Sequence, residues 1–321
     1  MMEPLYRVEI GARELCEAYP PRFGFPKKMA IYRLACPDGP QREGNVEVSR
    51  WPTRALPEIV LASACVVRAE PTVFQYGQAD VATHWHVNFA HSQVFEFYGD
   101  ELLAQDELQV LEHPALGSVR EALLSRGLSN LTTEDDRPTP ILVRGVERRC
   151  ALDTNPGPGR PQGLYGNAFA AADARVVLEA VTVLHPPQRS NIIAMEAPAY
   201  GVGRYRLDEI RGIVQTAFAA FAAARAASTA GRPVIVHTGF WGCGAYGGDR
   251  TLMTALQLLS ARLAGLDEMV YYTVGEAGME TYAEARSLLE RVAPAGAEAA
   301  LGDVLDSIAR QGFAWGESDG N

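Results

Sequence analysis

The most regular alternation of apolar and polar positions lies in the last third of the chain. PVIVH (233–237) is a short apolar run, 249–264 carries Leu and Met at helical spacing, EMVYYTV (268–274) is apolar again, and 279–292 returns to a helical period. This predicts strand, helix, strand, helix, as in a sheet packed between helices. Just before it, 206–227 reads as one long Ala-rich helix with Phe218 and Phe221 at helical spacing. Upstream, EIVLASACVVRA (58–69) predicts a buried strand or two, and THWHVNF (83–89) alternates as a strand. Residues 101–112 and 115–126 predict two helices parted at Pro114, and 140–146, 174–183 and 190–196 predict further strands. DTNPGPGRPQG (153–163) reads as a loop, long enough to be functional or mobile. Residues 1–57 are rich in Pro and Gly and poor in periodicity, so they predict an irregular N-terminal extension with one helix near 12–18. The closing GESDGN predicts a frayed tail. The expected organisation is that extension followed by an α/β domain over 58–321.

Composition narrows the picture without changing it. Hydrophobic residues make up 47% and charged residues 21% of 321, ordinary values for a globular chain. The formal charge of −10 has no clustered Lys and Arg behind it, which argues against a nucleic-acid surface. The five cysteines are scattered without a CxxC pair, so neither a zinc site nor a disulfide framework is expected. The first residues lack a signal-peptide pattern, and no apolar run approaches the roughly 20 residues of a membrane span. A cytoplasmic protein without membrane partner is expected, its oligomeric state left open. His84 and His86 share a strand face, and without a third ligand nearby in the sequence they read as structural.

Residues 238–249, TGFWGCGAYGGD, form a glycine-rich loop between strand and helix. Gly242, Gly244 and Gly247 satisfy G-x-G-x-x-G. Glycine there permits positive φ and close approach of a ligand, and the helix start beyond supplies free N–H groups and a positive dipole end. Asp249 reads as the helix N-cap. A Rossmann turn uses the same physics but is tight, whereas residues 237–241 separate this strand from its first glycine. A Rossmann-type oxidoreductase is therefore the weaker alternative.

The same loop, followed by a Leu-rich helix and VYYTVGE, closely resembles the TGxWGCGAxGGD signature of the poly(ADP-ribose) glycohydrolases. HVNFAH (86–91) is similar to that family's VDFAN segment, QDELQVLEHPAL (105–116) to its QEE helix, and IIAMEA (192–197) to its strand ending in IDA. LDEIRGIVQTAFAAF (207–221) fits the helix before the signature loop, so the resemblance spans roughly residues 77–280 in order. It implies a macrodomain, a mixed sheet sandwiched between helices, with a cleft shaped for ADP-ribose. It also implies that Glu107 is the acid/base carboxyl, with Asp106 beside it. Gln105, Asn88, His91, Gly242, Gly244, Ala245, Tyr246, Gly247 and Gly248 are then the ligand-binding positions. Independently, Leu103, Glu107 and Leu111 stand four apart on one helix, which sets a carboxyl in an apolar stripe. Partial burial there would raise its pKa, as a general acid requires.

Several positions depart from the family pattern. Phe95-Glu96-Phe97 replaces the triple glycine, seven residues before the QDE sequence. Asn88 replaces an aspartate and His91 an asparagine; Asn167 and Val274 stand where the family has aromatics. Glu96, Asp100 and Glu101 would repel phosphate if they faced it. The expectation is a metal-free, cofactor-free glycosylhydrolase that cleaves a bond at ribose C1 of an ADP-ribose-like or NAD-derived small molecule, not poly(ADP-ribose). The alternative is a macrodomain that binds such a ligand without turnover.

Overall fold

The computed structural model describes residues 3–37, 44–62, 65–76, 81–199 and 201–320. The chain opens with β1 (Tyr6–Gly11), α1 (Ala12–Ala18), α2 (Pro26–Ala35), β2 (Asn45–Arg50), β3 (Ile59–Val60), β4 (Val66–Glu70) and β5 (Thr83–Ala90). It continues through α3 (Gln105–Glu112), α4 (Ala115–Ser125), β6 (Thr133–Glu134), β7 (Arg137–Pro138), β8 (Ile141–Leu152), α5 (Asn167–Ala171), α6 (Ala174–Glu179) and β9 (Val181–Glu196). It ends with α7 (Leu207–Ala227), β10 (Val234–Thr238), α8 (Arg250–Ala264), β11 (Glu268–Tyr272), α9 (Glu276–Val292), β12 (Ala299–Ala300) and α10 (Leu301–Ala309).

Eight strands form one mixed sheet in the order β1-β2-β8-β9-β5-β10-β11-β4. From β9 to β4 neighbouring strands are parallel, while β1, β2 and β8 join antiparallel. The central strands β10 and β11 read as unbroken apolar runs because helices cover both their faces. One core holds Trp85, Val87, Phe221, Leu256 and Leu305. The other, on the opposite face, holds Leu15, Ile31, Ala90, Leu111 and Val119. This is the mixed sheet between helices that the resemblance implies. It is not the parallel 3-2-1-4-5-6 order of a Rossmann sheet, and the oxidoreductase reading falls with it.

The N-terminal fifth departs from expectation. In place of an irregular extension, β1 pairs with β2 from Tyr6↔Arg50 to Gly11↔Asn45, and β2 pairs with β8. Ile10, Val46 and Val48 face the core while Arg7 and Glu9 stay exposed or half-exposed, a period of two too short to stand out among Pro and Gly. The expected strand over 174–183 is divided: α6 comes first, capped by Asp173 accepting from the Arg175 amide at 2.8 Å, and β9 starts at Val181. The 58–69 run carries β3 and β4, with Ser63 and Ala64 outside the described residues, as are 77–80. GESDGN does not fray either. Trp315 stacks on Tyr205 at 4.2 Å, the Gly316 amide donates to Gly247 O at 2.8 Å, and Asn167 Nδ2 donates to Gly320 O at 2.8 Å. Only Asn321 of that segment lies outside the described residues. Among the described residues no helix is long and apolar enough to cross a membrane.

His84 and His86 do have a third histidine beside them, on β10. His84 Nδ1 and His237 Nε2 lie 2.9 Å apart, His237 Nδ1 is 3.1 Å from the Tyr272 hydroxyl, and His86 stacks on His237 at 4.5 Å. The rings pair and stack with one another; they do not converge on a point. Tyr76 packs between His86 and His113, and His113 bridges Gln109 O and Ser190 Oγ. Burial lowers His113, assisted by the Arg148 charge, to about 3. The unfolded imidazole takes up its proton near 6.5 and the folded one does not. The contribution of neutral His113 is therefore whole above that pH and is lost as pH falls toward 3. Urea unfolding of wild type and His113→Gln at neutral and acid pH checks this. Their stability difference should shrink, against the wild type, by about 1.4 kcal/mol per pH unit below about 6. A difference independent of pH would mean that the folded ring accepts a proton.

Candidate active site

The pairing of β5 with β10 ends at His86↔His237, whereas its pairing with β9 runs on to Ala90↔Glu196. Gln105, the first residue of α3, fills the vacated edge. Its Nε2 donates to Val87 O at 3.0 Å and its Oε1 accepts from the Phe89 amide at 2.8 Å, as a neighbouring strand would. The side chain expected to meet a ligand thus fastens the helix start to the sheet.

That anchor sets the next two residues. Asp106 Oδ1 accepts from Asn88 Nδ2 at 2.9 Å, and Glu107 Oε2 accepts from the Ala104 amide at 3.0 Å. They are 7% and 5% exposed, so two adjacent carboxyls are nearly out of water. Burial raises the pKa of Asp106 first and the neighbouring Glu107 charge raises it further, against the Asn88 hydrogen bond and Lys28. Burial raises Glu107 too, against backbone hydrogen bonding and Lys28. Two carboxylates this close cannot both ionise cheaply, so the pair retains a proton near neutral pH. Asn88 Oδ1 is buried and has no hydrogen-bond partner among the described residues.

Two neighbours carried no signal in the sequence. Lys28, from α2, is fully buried and donates to Tyr98 O at 3.0 Å and Leu102 O at 2.6 Å. It lies within the stretch that lacked periodicity. Tyr165 has its phenol end enclosed although the residue is 43% exposed, and burial followed by the Glu107 charge raises its pKa. It stands two residues before Asn167, the position matched to the family aromatic.

The rebuilt 95–97 turn keeps a glycine-like backbone. Phe95 has φ +54° and is fully buried, a left-handed conformation that costs a non-glycine residue about 1–2 kcal/mol. Packing of its ring in the core holds it there. Glu96 Oε2 lies 2.7 Å from His91 Nδ1, and Gln93 Nε2 donates to Glu96 Oε1 at 3.1 Å. Its carboxylate is therefore turned onto His91, whose ring meets Phe97 edge-on at 5.1 Å. Val274 is left-handed as well, at φ +53°, yet it is 63% exposed and has little packing to justify the strain. Val274→Gly should raise stability by about 0.5–1 kcal/mol, the relieved strain exceeding the added unfolded-state entropy. A rise in Tm checks this; a fall would show that the Val274 side chain is supported after all.

The glycine loop packs mainly on the protein itself. A Cβ on Gly242 (φ +74°) would stand 2.5 Å from the Ala197 Cβ, one on Gly248 2.6 Å from Gly242 O, and one on Gly247 (φ +68°) 2.8 Å from Gly316 O. Trp241 is fully buried and its Nε1 donates to Met195 O at 3.1 Å, tying the loop to the end of β9. Asp249 caps α8 through the Leu252 amide at 2.8 Å, as its place before the helix suggested. Cys243 is buried and burial raises its thiol, which suits packing better than reaction. The half-exposed apex is Gly244, Ala245 and Tyr246. Among the described residues the Gly244 and Ala245 amides make no hydrogen bond, which leaves two donors for an anion. A Cβ on Gly239 would lie 3.7 Å from the Phe89 ring, on the residue whose amide Gln105 holds, so the start of the loop and the start of α3 both border the C-terminal end of β5.

Residues 162–281 match the family model of poly(ADP-ribose) glycohydrolase, with its macro domain fold. The chain is glycohydrolase-like in sequence over that segment, and its mixed sheet between helices is macrodomain-like. A search of the curated proteins finds no match. Among solved structures it is similar to the glycohydrolase of Thermomonospora curvata bound to the inhibitor ADP-HPD, at 18% identity over 70% of this chain and 78% of that one, with TM-score 0.44. It is similar also to the Deinococcus radiodurans glycohydrolase in complex with ADP-ribose, at 14% identity over 89% and 94%, TM-score 0.42. An Oceanobacillus iheyensis macrodomain with MES bound follows, at 11% over 70% and 91%, TM-score 0.39. The glycohydrolase-like segment starts beyond Glu107, so the carboxyl pair rests on its own geometry.

Proposed function

We propose that the protein is a glycosylhydrolase acting at ribose C1 of an ADP-ribose-like or NAD-derived small molecule. The observation that carries this reading is the buried Asp106–Glu107 pair, whose carboxyls burial holds above the ordinary carboxylate range. The proton that the pair shares passes through Glu107 to the departing oxygen as the bond to C1 lengthens, and the oxocarbenium-like ribose is met by water that the Glu107 carboxylate then deprotonates. Asp106, held by Asn88, orients ribose hydroxyls. The Gly244 and Ala245 amides, with His91 and Tyr246 near the rim, receive the phosphates or distal ribose.

The 95–97 turn supports a small ligand over a polymer. Buried Phe95 and the Glu96–His91 pair fill with side chains the turn in which three glycines would wrap a diphosphate. Incubation with ADP-ribosylated conjugates, NAD and poly(ADP-ribose), followed by chromatography, tests the reading. Release of an ADP-ribose-type product from a small substrate is expected; release only from polymer would overturn the substrate assignment. One observation favours the non-catalytic alternative: Glu107 already serves its own helix by accepting from the Ala104 amide. Ligand-induced stabilisation without any product would select that alternative.

A further inference from the structure

Helix α2 buries one cation near the start of α3. Lys28 has no exposed surface, and its two hydrogen bonds go to Tyr98 O and Leu102 O, in the segment that joins the 95–97 turn to α3. A buried ammonium without a nearby anion is costly, and anions are at hand. The charges of Glu107, Asp100 and Asp106 act on it, while its hydrogen bond to Leu102 O falls on the backbone two residues before Ala104, whose amide donates to Glu107. Lys27, its neighbour on α2, points elsewhere and donates to the carbonyls of Phe169, Ala170 and Ala172. Around the carboxyl pair the remaining groups are Asn88 from β5 and Tyr165 from the segment before α5.

We infer that Lys28 is a positioning residue for the carboxyl pair: it fastens the connecting segment 98–102 and supplies the positive charge that lets one of the two carboxyls ionise while the other keeps its proton. The inference rests on reading that pair as the reacting groups, and it adds a partner that this reading does not need. With Lys28 protonated and one carboxylate formed, the buried cluster balances at that level, and Asp100 lies nearer the surface. Without Lys28 the pair would stay doubly protonated to higher pH. Burial lowers Lys28 to about 8, against the pull of Glu107, Asp100 and Asp106, so its own proton leaves within reach of a titration.

The test uses the full chain labelled with 15N at lysine and 13C at the side-chain carboxyls, titrated from acid to alkaline pH. The Asp106 and Glu107 carboxyl carbons should show a second step at the pH where Lys28 Nζ loses its proton. Lys28→Met should move the first carboxyl titration upward by about one pH unit or more, and Lys28→Arg, which keeps the charge, should return it toward wild type. Carboxyl carbons that pass through the Lys28 titration without a step would overturn the inference, and this arm needs no variant to fold. An unchanged carboxyl titration in folded Lys28→Met would overturn it as well. None of these readouts requires turnover. An inactive protein with coupled titrations would refute the enzymatic reading alone, and an active one with uncoupled titrations would refute the role of Lys28 alone.

Discussion

Glu107→Gln should reduce hydrolysis of the active substrate by about 10²–10⁴-fold while leaving ligand binding within a few-fold of wild type. The substitution keeps the shape of the side chain and its carbonyl-type oxygen, so the Ala104 amide retains an acceptor at the start of α3. What it removes is the proton for the leaving oxygen and the base for water. It also removes one of two crowded carboxyls, so the remaining Asp106 should ionise more readily, its Glu107 neighbour having been the second cause of its raised pKa. The folded variant should therefore be at least as stable as wild type near neutral pH. That combination, lost turnover with retained binding and stability, separates a reacting carboxyl from a helix cap. Turnover that survives the change would end the acid/base assignment, and single-turnover rates with isothermal binding measurements give the answer.

The second large effect is structural. Trp241→Ala should destabilise the fold by about 3–5 kcal/mol, the range for a fully buried large aromatic. The indole belongs to the larger core, and its Nε1 donates to Met195 O at the end of β9. Truncation leaves a cavity under the loop and an unpaired carbonyl. The Gly242 turn rests on Ala197, two residues past Met195, so binding should weaken along with stability. Trp241→Phe should recover most of the stability, forfeiting the hydrogen bond at about 1 kcal/mol. Thermal unfolding and ligand titration of the two variants check the order; equal losses in both would place the energy in the hydrogen bond, not the packing.

The sheet and helices from residue 206 onward were legible because long apolar periods and covered parallel strands leave strong patterns; the predicted helix over 249–264 is α8, and 206–227 is α7. The first fifth was not, because β1 is a six-residue edge strand whose alternation buries only Ile10, and no local pattern distinguishes it from a loop. Within the candidate site, the burial of Glu107 is legible from helical spacing, and Asp106 enters only through the resemblance. The environment of the pair is not legible. Lys28 reads as one of two lysines at an unremarkable helix start, and only the tertiary fold turns one inward and the other onto α5. Glu96 was read as a charge that could oppose phosphate, whereas a contact five residues back, to His91, gives it another task. The helix predicted from residue 101 starts only at Gln105, whose side-chain amide is directed to β5, which no spacing rule reveals.

That last contact bears on how such a protein can diverge. Because the Gln105 amide stands in for an absent strand, the start of α3, with Asp106 and Glu107, is registered directly against the backbone of β5. The turn is thus a detachable module spliced between two fixed points, β5 and Gln105. Residues 95–97 can therefore vary in sequence while Gln105 keeps its two hydrogen bonds to β5. A lineage built this way can change its diet while keeping its teeth.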